Sequence, residues 1–560
     1  MSGPGEPSSA APRRGLFGRG PAMTAERRER AIAFAAIGVL FCLVLFPEFG
    51  YVPIWDGRVY ANCVIEAAAS GLSLETLRCA GHPSQAYAAV LALSQVVRLG
   101  DVSLLHLTNT LLGLLALGSI RVVLARVFPA PSLARELDLL TLACALHPVL
   151  LSTLLQVNID FGVYVFFFAA LAALLSGRFG WLTLAGVFLC FSKETGVLAY
   201  ALMMGLFALF RVARSTGSLA TRLGSLAPLL ITAVPLVLFG VHVVVWNATH
   251  TQNALWKHGW QQGTMDGFKF FDLSEPIFQS YAAGIFVLGF MWVLTVIIGA
   301  DMLVGGVRLA RRLPDRETPG ANRAPLVYAT VLTALITYAL TAFRTWTNLR
   351  YFALIYPLLV LLAFAALLRL GARRWLRVAV LVAVAALFAL ASYRSADPVS
   401  RALYGTFPIG EREMYRMSSI TGDFSGPGRD QLVYNLEFTG YHHVQNALFR
   451  TLRPTDSMAF AMPRAIRWNI WSQLDAQSFN RTLARDGVVV PRYSDEVDLA
   501  VNPQKPHDVW FLEFSNQAEQ EGALASLDAF YRDTAIVRVR ARGHVLKAHH
   551  LVRRELPVLP

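Results

Sequence analysis

As far as residue 392 the chain is a succession of long apolar runs separated by polar breaks. The first run is Ala31–Leu45, and others follow at about 83–99, 103–125, 137–155, 160–176, 180–212, 226–246, 277–300, 325–342, 349–368 and 376–392. Runs of this length predict membrane-spanning helices, and one crossing per run gives eleven spans. Two longer polar loops interrupt the series: 48–82, which contains the amphipathic stretch Gly57–Ser70, and 247–276, rich in Trp and Phe. Beyond Tyr393 the apolar runs shorten and Arg, Asp, Gln and Asn become common. There Asp508–Phe514 and Thr534–Val539 alternate as strands do, and Ala518–Arg532 has helical spacing. The pattern therefore predicts a polytopic α-helical membrane protein carrying a soluble α/β domain at 393–560. Residues 1–30, basic and rich in Pro and Gly, read as a disordered tail. No internal repeat is visible.

Composition agrees with a lipid environment. Hydrophobic residues make up 55% of the 560 and charged residues only 16%, with a mean hydropathy of +0.47. A soluble domain carries about 25% charged residues, so a purely soluble enzyme, a disordered chain and a small disulfide-stapled domain are excluded. The formal net charge of +13 follows from Lys and Arg kept in cytoplasmic loops, and no aromatic-basic groove pattern accompanies it to suggest nucleic acid. The basic region before Ala31 is too long for a cleavable signal peptide, and the run after it ends in Phe46-Pro-Glu-Phe49 without a small-residue cleavage site.

Charge also orients the helices. The basic tail predicts a cytoplasmic N-terminus in an inner or plasma membrane, and eleven crossings put the C-terminal domain outside. The simplest count, however, leaves Arg126 and Arg135 outside and the Gln156–Asp160 loop inside, against the charge rule. A better arrangement makes 83–99 a partial or tilted helix, because it holds Ser94, Gln95 and Arg98. It splits 180–212 at Lys193-Glu194, which moves Asp160, Lys193 and Glu194 to the outer side.

Several polar residues stand where chemistry is possible, each with a structural alternative. Asp56, just beyond the first span, either caps the amphipathic helix or acts as a general base at the membrane surface. Asp160 either caps the helix that starts at Phe161 or faces a site. Lys193 and Glu194 either pair with each other or serve function, as ionisable groups within apolar runs commonly do. Arg344 and Arg350 are snorkelling interfacial residues or anion ligands. His82, before Pro83, bonds a backbone carbonyl or takes part in the site. His442-His443 and His549-His550 invite a zinc reading, but neighbouring strand residues point to opposite faces, so no metal is assigned there. Of the five cysteines, Cys42, Cys144 and Cys190 lie in apolar runs, while Cys63 and Cys79 share the first outer loop as either a disulfide or two free thiols.

The order of these features resembles the GT-C superfamily of membrane glycosyltransferases, in particular the branch of protein O-mannosyltransferases and lipid A aminoarabinose transferases. The matching positions are Asp56, Tyr60, Gly71 and His82-Pro83, then Arg121, Arg126, Pro148 and Asn158-Ile-Asp160. Gly186, Ser192-Lys-Glu-Thr-Gly196, Arg350-Tyr351 and Pro357 complete the set, which covers about residues 30–392. The chain departs from the family's Asp-Glu at Asp56-Gly57 and from its His-Pro-Pro at His82-Pro83-Ser84.

The resemblance implies a bacterial cell-envelope enzyme that moves a sugar from a polyprenyl-phosphate donor to a hydroxyl on a lipid, glycan or protein. Asp56 would take the acceptor's proton and Asp160 would orient the acceptor or the base. Lys193, Arg344 and Arg350 would neutralise the leaving phosphate, and Tyr60, His82, Glu194 and Tyr351 would line the site. No cofactor is implied: the chain has neither a phosphate-binding loop nor a dinucleotide fingerprint. A divalent cation, used by some relatives through Asp-rich motifs, is not favoured because Asp56 has no neighbouring Asp. The rival readings are a lipid or glycolipid transporter, which commonly shows repeated halves, and a non-catalytic membrane scaffold.

Overall fold

The computed structural model describes residues 25–51, 53, 56–216, 218–224, 226–249, 276–314, 316–341, 349–393, 397–409, 412–415, 436–453, 458–462, 493–494, 496–514 and 518–554. The chain is a multi-pass helical membrane protein with a smaller sheet-bearing region at its C-terminal end. Among the described residues, seven helices are long and apolar enough to cross a membrane, or eight when one bent pair is counted as a span.

The first half comprises α1 (Ala25–Leu45), α2 (Asp56–Ser70), α3 (Gln85–Val97), α4 (Val102–Val127), α5 (Ala134–Ala145), α6 (Pro148–Leu155), α7 (Ile159–Leu175), α8 (Phe179–Cys190) and α9 (Glu194–Arg214). Then come α10 (Leu219–Gly224), α11 (Val234–Thr249), α12 (Pro276–Phe286), α13 (Met291–Ala310), α14 (Arg323–Thr341), α15 (Ile355–Arg369) and α16 (Arg374–Tyr393).

Where the helices break follows local chemistry. The 137–155 run is two helices bent by 48°, because Pro148 has no N–H to donate and holds His147 extended before it. The 180–212 run does split at Lys193, which is extended between α8 and α9. The 277–300 run, expected to be continuous, breaks at Gly289 and Phe290, both in the left-handed region. In 83–99 only the 13-residue α3 forms. Its polar residues serve the turn that follows: Gln95 accepts from Gly100 N at 2.9 Å and donates to Asp101 O at 3.1 Å. The tail boundary also moves, since α1 already begins at Ala25 with Glu, Arg, Arg, Glu and Arg, all good helix formers.

Successive helices run between two ends of the bundle. At one end Asn322 N donates to Val127 O at 2.7 Å, Arg126 Nε to Ser176 Oγ at 3.2 Å, and Arg316 Nη1 to Arg369 O at 3.1 Å. Asp160 and Lys193 meet at the other. The split of 180–212 that the second arrangement requires is therefore present, and it puts Lys193 at the end that holds Asp160.

The C-terminal region adds α17 (Pro398–Tyr404), α18 (Glu437–Leu452), α19 (Glu496–Val501) and α20 (Ala518–Leu527). Its strands are β1 (Thr406–Ile409), β2 (Arg412–Tyr415), β3 (Ala459–Ala461), β4 (Tyr493–Ser494), β5 (Asp508–Phe514), β6 (Tyr531–Ala541) and β7 (His544–Arg553). The larger sheet has the order β4-β3-β5-β7-β6 and is mixed: β3 lies parallel to β4 and β5, while β7 is antiparallel to β5 and β6. Leu499, Ala523 and Leu527 cover one sheet face, and Val444, Leu448 and Phe449 of α18 join Leu512, Leu546 and Ala548 to the core shared with the membrane helices. The helix expected over 518–532 stops at Leu527, because Tyr531 and Arg532 pair with Arg553 and Val552 in the sheet.

Candidate active site

The residues singled out from the sequence come together where α2, α7, α9 and the short 3-10 turn Leu349–Phe352 meet. Asp160 lies in the first turn of α7, where the helix dipole favours an anion. It does not cap that helix. Asn158 does, its side chain accepting from Asp160 N at 3.2 Å. The Asp160 carboxylate is thereby left to accept from Lys193 Nζ at 2.8 and 3.0 Å, and Arg350 Nε stands 3.1 Å away. Arg350 also reaches Asp56 through Nη2. Among the described residues, four charges thus form one chain, Asp56 to Arg350 to Asp160 to Lys193, in which the two cations match the two carboxylates.

Its two ends differ. Asp160 is 4% exposed, whereas the Asp56 side chain is 48% exposed. Arg350, at 5% exposure, is a buried ion-pair partner and not an interfacial snorkeller. Tyr351 stacks beside the cations, with Lys193 Nζ 4.4 Å and the Arg350 guanidinium 5.3 Å from its ring centre. Buried Tyr60, one turn after Asp56, lies within electrostatic reach of Arg350, Asp56, Asp160 and Tyr351. Burial raises its phenol well above the ordinary range, so it faces the charges as a neutral hydroxyl.

A second pair adjoins the first. Glu194 does not pair with Lys193: the two are neighbours at a helix start and diverge, and the Glu194 carboxylate lies 3.0 Å from His82 Nδ1. His82 therefore meets a carboxylate and not the backbone carbonyl allowed by the sequence. Ala86 N brings it there by donating to Phe191 O at 2.9 Å, tying the start of α3 to the α8–α9 break. The rings of Tyr60 and His82 are 6.5 Å apart. Arg344 lies outside the described residues.

Two glycines permit the approach. A Cβ on Gly57 would stand 1.9 Å from the Gln156 carbonyl oxygen, so only glycine lets α2 lie against the α6–α7 turn and carry Asp56 to Arg350. A Cβ on Gly186 would meet the Tyr200 ring at 2.5 Å, where α8 and α9 cross just before Lys193.

Some neighbours were not marked by the sequence. Gln156 donates to Tyr51 Oη at 2.7 Å, its carbonyl being the one against Gly57. Arg78 lies over the Trp246 ring at 4.7 Å and donates to Gly81 O at 2.9 Å. Its only sequence signal was a basic residue beside Cys79. Cys63 and Cys79 are bridged, their Cα atoms 5.6 Å apart, which ties α2 to the segment that leads into His82. Closing a loop of this size stabilises by about 3 kcal/mol on the chain-entropy view.

The histidine pairs lie elsewhere. His443 is on α18, not a strand, and its Nε2 is 3.0 Å from Glu48, while the His442 side chain lies outside the described residues. His549 and His550 do occupy opposite faces of β7: His549 contacts Glu513 and Asp533, and His550 contacts Asp508 and stacks on Trp510. Among the described residues, no three His, Cys, Asp or Glu side chains are grouped to hold a metal ion.

No protein-family model matches the chain, and no curated protein matches it. Among solved structures it is similar to ArnT from Cupriavidus metallidurans bound to undecaprenyl phosphate, with 16% identity and a TM-score of 0.47 over 92% of this chain and 97% of that one. It is also similar to the same protein in the apo state, with 17% identity and a TM-score of 0.48 over 93% and 98% of the two chains.

Proposed function

We propose that the protein transfers a sugar from a polyprenyl-phosphate carrier to an acceptor hydroxyl at the outer membrane surface, with inversion at the anomeric carbon. The observation that carries this reading is the four-charge chain, buried at Asp160 and open at Asp56. Asp56 accepts the proton of the attacking hydroxyl. The new bond joins the acceptor oxygen to the anomeric carbon as the bond to the phosphate oxygen breaks. The carrier leaves as the polyprenyl phosphate, a stabilised anion, so we assign the reaction no nucleotide and no metal.

Pairing changes the part that Arg350 plays. In the resting chain it is engaged by Asp56 and Asp160 and is not a free phosphate ligand. A donor phosphate competes with Asp56 for this guanidinium. As Arg350 is drawn toward the phosphate, its hold on Asp56 weakens, which makes the carboxylate a better proton acceptor. Donor binding thus readies the base. Lys193 continues to neutralise Asp160, and together the cations stabilise charge on the leaving group, the kind of preorganised electrostatics that dominates enzyme catalysis. Sidedness follows from charge: the Arg126 end faces the cytoplasm with the N-terminus, and the Asp56 end and C-terminal domain face outward.

Mass spectrometry of envelope lipids and glycans, with and without the protein, tests the reading and names the product. The expected result is a glycosylated species that disappears when the protein is removed and stays absent when Asp56→Asn replaces it. An unchanged glycome, together with no release of polyprenyl phosphate from a loaded donor in vesicles, rejects it.

A further inference from the structure

Glu48 follows α1 by three residues, is only 5% exposed and turns toward the C-terminal domain. Its carboxylate accepts from Arg542 Nη1 and lies 3.0 Å from His443 Nε2. Arg542 Nη2 also donates to Pro47 O at 3.1 Å. Two elements of the C-terminal domain, α18 and the turn between β6 and β7, therefore close on one short segment of the membrane domain. In that turn Arg542 and Gly543 have φ of 48° and 81°. Such two-residue turns favour Asn and Gly, and left-handed backbone is costly for a longer side chain. The turn alone gives no reason for an arginine there, whereas its side chain does.

From Glu48 the contacts lead to the reactive end of the site. Tyr51 N donates to Glu48 O at 2.8 Å, and Tyr51 Oη accepts from Gln156 Nε2 at 2.7 Å. The Gln156 carbonyl is the surface on which Gly57 rests, and Asp56 precedes Gly57. Phe49 O is held in turn by His106 Nδ1 at 2.8 Å, whose other ring nitrogen meets Leu155 O at 2.9 Å.

We propose that Arg542 and His443 are positioning residues for Asp56, acting through Glu48, Tyr51 and the Gln156 carbonyl against Gly57, so that the docked C-terminal domain sets the geometry of transfer. The inference rests on the reading of Asp56 as the proton acceptor. Neither residue touches the four-charge chain, and their effect on it is mechanical. Removing a cation from a buried carboxylate is strongly unfavourable, and the shift that relieves it passes to Tyr51 and, through Gln156, to Gly57.

The test uses the full chain in vesicles supplied with a polyprenyl-phosphate-linked sugar. Arg542→Ala should lower kcat by about 10- to 100-fold, the cost of roughly an ångström of misplacement, with the donor KM changed less than about twofold and Arg542→Lys restoring part of the rate. A second measurement needs no turnover. In an Asp56→Cys background, adding Arg542→Ala or Glu48→Gln should change the rate at which a membrane-impermeant maleimide labels position 56 by several fold. Unchanged labelling in both double variants overturns the positioning role, whatever the protein transfers. Normal kcat in a folded Arg542→Ala protein overturns it as well. Absence of transfer by the unmodified protein rejects instead the reading of function, and the labelling result still decides the inference.

Discussion

The two ends of the bundle use the same kinds of residue to opposite effect. At the Arg126 end, Glu136 is fully buried and lies 3.1 Å from Arg377 and 3.8 Å from Arg374, which joins α5 to α16. Arg121 and Asp138 form a similar pair at 2.7 Å, as do Arg369 and Asp301 across α15 and α13. Glu136 is fully covered, and Asp138 and Asp301 are only 15% and 13% exposed. At the Asp56 end, the buried acid Asp160 is held by two cations, but one of those cations continues to a second acid that is half exposed. Burying a charge is costly and must be compensated by a partner, and both ends satisfy that. What separates them is that the outermost acid at the Asp56 end is half exposed. A covered carboxylate serves to hold helices together, whereas a half-exposed one can exchange its partner.

The sharpest break of this contrast is a pair of neutralising substitutions. Asp56→Asn preserves size but cannot accept a proton, so turnover should fall by about 10²–10⁴-fold, the usual loss for a general base. Donor affinity should be unchanged or tighter, because Arg350 is released for the phosphate. Weaker donor binding would show that Asp56 belongs to the donor pocket and not to the proton transfer.

Glu136→Ala should do the reverse. Removing one member of a buried ion pair costs about 3–5 kcal/mol of stability, to be read from thermal unfolding in detergent. Turnover per folded molecule should stay within about twofold. If Glu136→Ala abolished transfer in a protein of normal stability, the two ends would not differ in kind.

How much of this was legible in advance depended on the range of the interaction. Spans were readable because apolar periodicity is local, and so was the break at Lys193, where a charge interrupts an apolar run. Candidate site residues stood out for the same reason: Asp56, His82, Asp160, Lys193, Glu194 and Arg350 are ionisable groups beside or within apolar sequence. Their pairing was not readable. Lys193 and Glu194 invite pairing as neighbours, yet their partners lie 33 and 112 positions away, brought close only by the packing of α3, α7 and the α8–α9 break. The cap of α7 went to Asn158, two residues before the expected Asp160, because the sharp turn at Val157, with φ of 51°, aims the asparagine side chain back along the helix start. Glu48 gave no sign of its partners, which come from residues 443 and 542.

Gly57 offers a finer test of whether the open end depends on distance. A methyl group there would meet the Gln156 carbonyl at 1.9 Å, and backbone cannot yield as a flexible side chain does, so α2 must shift. Gly57→Ala should therefore lower turnover by about 10²-fold through misplacement of Asp56. The loss should appear in kcat, with the helix content of the protein intact by circular dichroism. Gly205, which has open space where its Cβ would stand, is the control, and Gly205→Ala should leave transfer unchanged. Equal activity in the two variants would mean that the close approach of α2 is not needed.

The smallest effect concerns a third charged network, away from both ends, in the sheet of the C-terminal domain. His549 lies 2.8 Å from Glu513 and 2.7 Å from Asp533, and Lys547 lies 3.4 Å from Glu513. The hydrogen bond with Glu513 is the main reason that the His549 imidazole is held above its ordinary range, with Asp533 adding to it against the effect of burial. For Glu513, burial alone would raise the carboxyl, but the bonds from His549 and Lys547 hold it below the usual carboxylate range. A group with a raised folded pKa contributes stability that is complete below its unfolded value, about 6.5 for histidine, and is lost as pH rises through the folded value. A group with a depressed folded pKa contributes above its unfolded value, about 4.3 for glutamate, and loses that contribution as the solution is acidified. The two windows overlap between about pH 4.3 and 6.5, where the network is fully formed. Raising the pH from 6 to 9 should therefore weaken the protein by on the order of 1 kcal/mol, the size of one hydrogen bond. His549→Gln should remove that slope while lowering stability at pH 6. Thermal unfolding across this range distinguishes the cases, and a variant that keeps the full pH dependence of the unmodified protein would show that the titrating group lies elsewhere. Because this network lies in the C-terminal sheet and includes none of the residues around Asp56, its loss should leave kcat alone at every pH at which the domain stays folded.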